Sequence, residues 1–249
     1  MKEAAGERRV RVGICGFAER QALVYEQFKL LEVQRTFYQP PRLSTAAKWR
    51  QQAPADFVFT LKAWQLITHR AASPTYRRLR ERLCQEELAL AGDFQWNRVT
   101  QMAWERTLAV AEALNAAAIV FQTPASFRPN QGNLRQFRRF FATIRRGPQR
   151  LIFEPRGPGW TEDLLRSLLA ASGVALGLDP FLRPPSGGEA CYFRLHGRPA
   201  YHYQYSYTEE DLTALAAMAD RCRSAWVLFN NVAMAADARR FQRRLQTRR

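Results

Sequence analysis

Eight short apolar, β-rich runs recur along the chain and most constrain its fold: VRVGIC (10–15), KLLEV (29–33), FVFTL (57–61), AAIVFQ (117–122), RLIFE (150–154), VALGLD (174–179), CYFRLH (191–196) and AWVLFN (225–230). Between most of them lie segments with apolar residues at helical spacing: STAAKWRQQ (44–52), WERTLAVAEALNA (104–116), NLRQFRRFFATI (133–144), TEDLLRSLLAAS (161–172) and TEEDLTALAAMADRC (208–222). Openings on Ser, Asn or Thr, with TED and TEE in two cases, place capping oxygens and first-turn acids where a helix start favours them. Strands alternating with helices pair in parallel through right-handed crossovers, and eight such units in 249 residues match a closed (β/α)8 TIM-like barrel, one domain over 1–249. An open doubly wound sheet is the alternative. It lacks sequence support, because no GxGxxG follows the first run and no GxxxxGK[ST] occurs. Two departures from a plain barrel are expected: an enlarged third crossover (66–116) with an extra helix and a loop around GDFQWN, and an irregular sixth one, DPFLRPPSGGEA, too rich in Pro and Gly for a helix.

Composition narrows the function classes. No run of about 18 uncharged apolar residues is present, so no membrane span is expected. The opening MKEAAGERRVRVGICGF has no leader-like apolar block, and a cytoplasmic location is expected. The four cysteines, Cys15, Cys84, Cys191 and Cys222, form no CxxC or metal-finger spacing and read as unrelated thiols. A net charge of +16 favours phosphate-bearing partners, an anionic small molecule or a nucleic acid. Much of that charge, however, lies in helix-like stretches such as YRRLRERL, FRRFFATIRR and ARRFQRRLQTRR, at spacings typical of a solvated face. Nothing indicates an oligomeric state.

In such a barrel the working face lies at the C-terminal strand ends. There the chain is polar: Glu32, Gln34, Thr36 and Tyr38 after the second run, Lys62 and His69 after the third, Gln122 after the fourth, Glu154 and Arg156 after the fifth, Asp179 after the sixth, Arg194 and His196 at the seventh, Asn230 and Asn231 after the eighth. The opposite ends carry ordinary residues such as Arg11, Asp56 and Arg150. Lys62 and His69 stand out further, since the chain has four lysines against 34 arginines and only three histidines. Structural readings compete: Glu154 with Arg156, or Asp179 with Lys62, as ion pairs that hold loops; Asn230–Asn231 as the turn into the last helix; His202, in YHYQYSY, as a surface loop residue.

The ordered series EVQRTFY, FTLKAWQLITH, IVFQTPASF, EPRGPGW, DPF, YFRLHG and LFNN resembles the domain of unknown function 72, or YecE-like, family, in its shorter archaeal-type branch, from about Arg11 to Arg240. The resemblance implies a TIM-like barrel and no established reaction; its likeness to apurinic-endonuclease-like and xylose-isomerase-like barrels is one of fold. Two departures from the broader family are visible: the first βα loop, GFAERQALVYEQF, lacks the usual Trp-containing segment, and EPRGPGW has no histidine after the arginine.

The expected function is an enzyme acting on a phosphorylated or otherwise anionic substrate. Lys62, Glu154, Asp179 and His196 are its candidate catalytic groups, with Glu154 or Asp179 as general acid or base. Glu32, Thr36, Tyr38, His69, Gln122, Arg156, Arg194, Asn230 and Asn231 are candidates for binding, Arg156 and Arg194 joining Lys62 on the anion. No cofactor is expected, although Glu32, Glu154, Asp179 and His196 are enough ligands for a single divalent metal. The alternatives are a nucleic-acid-binding or nucleic-acid-processing protein, with arginine-rich helices on phosphates and aromatic side chains on bases, and a non-catalytic binding module. Period-two alternation puts Phe57, Phe59 and Leu61 against the helices and Val58, Thr60 and Lys62 inward. The ammonium of Lys62 is expected near Glu32, Glu154 or Asp179, with His69 on the rim.

Overall fold

The structure of the protein, a computed structural model, describes residues 9–247. Eight parallel strands close into a barrel in chain order: β1 (Arg9–Cys15), β2 (Leu30–Val33), β3 (Val58–Lys62), β4 (Ala118–Gln122), β5 (Arg150–Glu154), β6 (Ala175–Leu178), β7 (Gly188–Leu195) and β8 (Cys222–Phe229). The eight apolar runs are these strands. β7 and β8 begin earlier than their apolar runs, at Gly188 and Cys222, because their early residues are held by ladder pairing, Gly188 with Cys222 and Ala190 with Ser224, not by side-chain alternation.

The long third crossover holds a one-turn helix (Gln65–Thr68), a 3-10 turn (Pro74–Arg78), a short helix (Gln85–Ala89) and the long helix Arg98–Ala113. That last helix starts well before Trp104, because the Asn97 side chain accepts from the Val99 and Thr100 amides at 3.0 and 3.2 Å. The stretch YRRLRERL is not helical beyond Arg78; Leu79 and Leu83 are its only apolar residues and both are half exposed, so a helix there would have no stripe to bury. Between β6 and β7 there is no helix, as the Pro and Gly content dictates. Thr161 and Thr208 cap their helices as read, accepting from Leu164 and Asp211 amides. Ser44 and Asn133 do not: the helices start at Leu43 and Gln131, the second capped by Asn130.

The described residues gather into two compact units. One comprises 33–53 and 59–176. Its core centres on Phe94, whose ring lies 5.2 to 6.1 Å from those of Phe121, Phe127, Phe137, Phe140, Phe141 and Phe153. Gly92 sets Phe94 in place: at φ +93° its Cα sits so close to the next loop that a Cβ would lie 2.6 Å from the His69 carbonyl carbon and the Arg70 nitrogen. The other unit comprises 9–32, 54–58 and 177–247. There Asp237, fully buried, accepts from Ser206, the Tyr207 amide, Asn231 and Arg240. The reading of four unrelated thiols is corrected here, because Cys191 and Cys222 form a disulfide between β7 and β8, while Cys15 and Cys84 lie outside any disulfide. Local spacing carried no sign of the pair, since the two cysteines are 31 positions apart and meet only through strand pairing. No helix among the described residues is long and apolar enough to cross a membrane.

Candidate functional site

Three consecutive strands end in polar residues: β3 in Lys62, β4 in Gln122 and β5 in Glu154. Gln122 is half-buried, and ladder register sets it directly beside Glu154. Lys62, 6% exposed, donates to Gln122 Oε1 at 3.1 Å and lies 3.9 Å above the Phe37 ring. Such a cation over an aromatic face gains about 0.5–2 kcal/mol, more as water is excluded. On the other side of β3, Phe59 meets the Arg50 guanidinium of helix Leu43–Gln52 at 5.1 Å, so the aromatic side packs on a helix as alternation predicts. Arg156 Nε lies 3.3 Å from Glu154 Oε1, the ion pair read as a loop tie.

His69 is not on the rim. The helix Gln65–Thr68 turns the chain back and buries it, its ring edge-on to Phe37 at 4.8 Å and its Nδ1 2.8 Å from the Thr68 hydroxyl. Burial first, then the neighbouring charges of Lys62 and Arg156, push its pKa down to about 3, so the imidazole is neutral. Thr36 donates to the carbonyls of Val33 and Lys62 at 2.8 and 2.7 Å, which pins the turn after β2 to the end of β3 and commits its hydroxyl to the backbone. Tyr38 offers its carbonyl to Trp64 and Gln65 and its ring to Arg78, whose guanidinium lies 3.6 Å above it.

The remaining candidates belong to the other compact unit. Arg194 grips Glu32 with a two-pronged contact, Nε to Oε2 at 2.9 Å and Nη2 to Oε1 at 2.7 Å, both side chains being fully buried. Tyr192 adds a bond to Oε2 at 2.8 Å and Cys15 a weak one to Oε1 at 3.8 Å. Arg194 therefore holds β2 to β7, and its guanidinium is directed at Glu32 where an external anion was expected. Asp179 accepts from the Phe181 and His196 amides at 3.1 and 3.0 Å, and His196 Nδ1 is 3.4 Å from its Oδ2. Arg194 Nη1 approaches His196 Nε2 at 3.4 Å. Asn231 bonds the Tyr205 carbonyl and Asp237, both at 2.7 Å, and so makes the turn into the last helix; Asn230 is half-buried beside it. His202 is exposed, as read.

Sequence reasoning missed two residues that shape these clusters, Phe37 under Lys62 and His69, and Tyr192 on Glu32. For Phe37 the signal was present, in the aromatic pair closing EVQRTFY; Tyr192 looked like an ordinary strand residue. Among the described residues no group of three or more His, Cys, Asp and Glu side chains is gathered as a metal site needs.

The barrel is shared with solved structures. A DUF72 family protein from Enterococcus faecalis V583 superposes with a TM-score of 0.70 at 18% identity, over 96% of this chain and 98% of that one. One from Thermotoga maritima MSB8 does so with 0.70 at 20%, over 96% and 99%. D-psicose 3-epimerase, solved in the presence of D-fructose, gives 0.57 at 13%, over 95% and 98%. At these identities the likeness is one of fold. A search among curated protein sequences finds no match. The family model described as "Protein of unknown function DUF72" matches residues 18–249, and the chain belongs to that family.

Proposed function

We propose that the protein is an enzyme acting on a phosphorylated or otherwise anionic substrate at the C-terminal ends of its barrel strands. The observation that supports this reading is the run of Lys62, Gln122 and Glu154 at the ends of three adjacent strands. Polar groups are costly to bury, and a fold with only a structural task gains nothing by gathering them at one set of strand ends. Lys62 would meet the anion as a compact charge and Gln122 would orient a neutral polar group. Glu154, held by Arg156, would take or give a proton. A neutral His69 adds hydrogen-bonding capacity without adding charge. In the other unit, Asp179 and His196 are proposed as a second carboxylate–imidazole pair, supported by Glu32 and Arg194.

The test is ligand-dependent stabilisation and turnover against a panel of sugar phosphates and nucleoside monophosphates. We expect phosphorylated compounds to raise the melting temperature of the wild type and not of Lys62→Met. Turnover of a hit should fall by about 10²–10⁴ in Glu154→Gln while binding persists. Equal stabilisation of wild type and Lys62→Met by every phosphorylated compound would refute the reading.

A further inference from the structure

A second basic feature includes none of Lys62, Gln122, Glu154 and Arg156. A pocket of about 710 Å³ is lined by Arg35, Arg42, Arg77, Arg78, Arg80 and Arg106, and no acidic residue lines it. The arginines come from three stretches of the chain: the turn after β2 with the adjoining start of helix Leu43–Gln52, the 3-10 turn Pro74–Arg78 with the residues following it, and helix Arg98–Ala113. Like charges repel, so convergence of six guanidiniums opposes folding unless something offsets it. Only Arg106 has a carboxylate, Glu81 at 2.8 Å; Arg35, Arg42, Arg77 and Arg80 make no ion pair among the described residues. The walls are preset. Gln39 Oε1 accepts from the Arg80 and Glu81 amides at 3.2 and 3.1 Å, Trp64 and Gln65 hold the Tyr38 carbonyl, and Arg78 rests on the Tyr38 ring. Helix Leu43–Gln52 opens beside the pocket with no acid in its first turn and no side-chain cap, which adds positive potential to that of the arginines.

We propose that this pocket binds an oligophosphate: a ligand with two or three phosphate groups in series, held by guanidinium forks. With Arg106 neutralised by Glu81, five positive charges remain. A terminal phosphate carries about −1.5 to −2 at neutral pH, so a single one leaves most of that charge uncompensated, whereas two or three balance it. The volume suits such a ligand, since small-molecule sites run from about 300 to 1,000 Å³. The same chemistry occurs in a free polyphosphate or nucleoside triphosphate and in a phosphodiester backbone. This inference is independent of the strand-end site, because Lys62 and Glu154 do not line the pocket.

The experiment measures binding of inorganic triphosphate, of ATP and of a fluorescent single-stranded 12-mer to the full chain. The variants are Arg77→Glu/Arg80→Glu and, as a control of equal charge change, Arg135→Glu/Arg138→Glu on the exposed face of helix Gln131–Thr143. We expect the pocket pair to weaken at least one probe by about tenfold or more, the scale of a lost charge-assisted contact, and the control pair to have little effect. Loss for triphosphate and ATP assigns a free oligophosphate. Loss confined to the 12-mer, with a log–log salt slope shallower by roughly 1.4, assigns a backbone. Lys62→Met should leave all three probes unchanged. Equal losses in pocket and control pairs, or no binding by the wild type, would overturn the proposal. Urea denaturation of each variant confirms that the fold persists.

Discussion

Removing the imidazole of His69 should remove a defined share of the protein's acid sensitivity. In the native state its pKa is pushed down from 6.5 to about 3 by burial and by Lys62 and Arg156. Between those values the unfolded chain binds a proton that the native state refuses, so stability is full above about pH 6.5 and falls as the pH drops toward 3. With native protonation negligible at pH 5, the cost from pH 7 to pH 5 is about 1.9 kcal/mol, and over the whole window it approaches about 5 kcal/mol. Urea unfolding at pH 7 and pH 5, compared between the wild type and His69→Gln, isolates this share because the carboxylates titrate alike in both. The wild type should lose about 2 kcal/mol more than the variant. NMR of the three imidazoles checks the cause directly: the His69 ring should show no titration between pH 8 and pH 5, and Lys62→Met should raise its pKa. Equal pH slopes, or a His69 ring that titrates near 6, would refute the placement of this side chain beside two cations.

Gly92→Ala should cost about 1–3 kcal/mol in thermal or urea unfolding, since the new methyl meets the His69–Arg70 backbone and the residue sits at φ +93°. Glu32→Gln should destabilise by about 3–5 kcal/mol through the stranded Arg194, and the double change Glu32→Leu/Arg194→Met should cost much less; urea denaturation of both decides. Reducing the Cys191–Cys222 bond should lower stability by about 3–4 kcal/mol for a loop of 31 residues, seen as an unfolding midpoint that shifts with dithiothreitol in the wild type and not in Cys222→Ser.

The barrel was legible because each strand is an apolar run interrupted by helix-spaced segments, a pattern that survives without knowledge of any contact. This strand end was legible to within a residue: FVFTL placed Lys62 just past the strand, and β3 closes on Lys62 itself. What escaped was decided by long-range pairing. The disulfide depends on β7 lying beside β8, and the burial of His69 on one turn of helix after β3. Thr36 and Arg194 looked like ligands for a substrate because a sequence shows a polar side chain's capacity and not its partner; the partners, the Val33 and Lys62 carbonyls and Glu32, come from elsewhere in the fold. The arginines of TYRRLRERL read as a solvated helix face because only the three-dimensional path of the crossover brings them to Arg35 and Arg42.

Phe37 and Tyr38 are consecutive residues in a single turn, their rings 5.0 Å apart and nearly perpendicular. One ring is the floor beneath Lys62 and the other the floor beneath Arg78. Both cations therefore rest on one dipeptide, whose two rings face different charges although their backbones are consecutive.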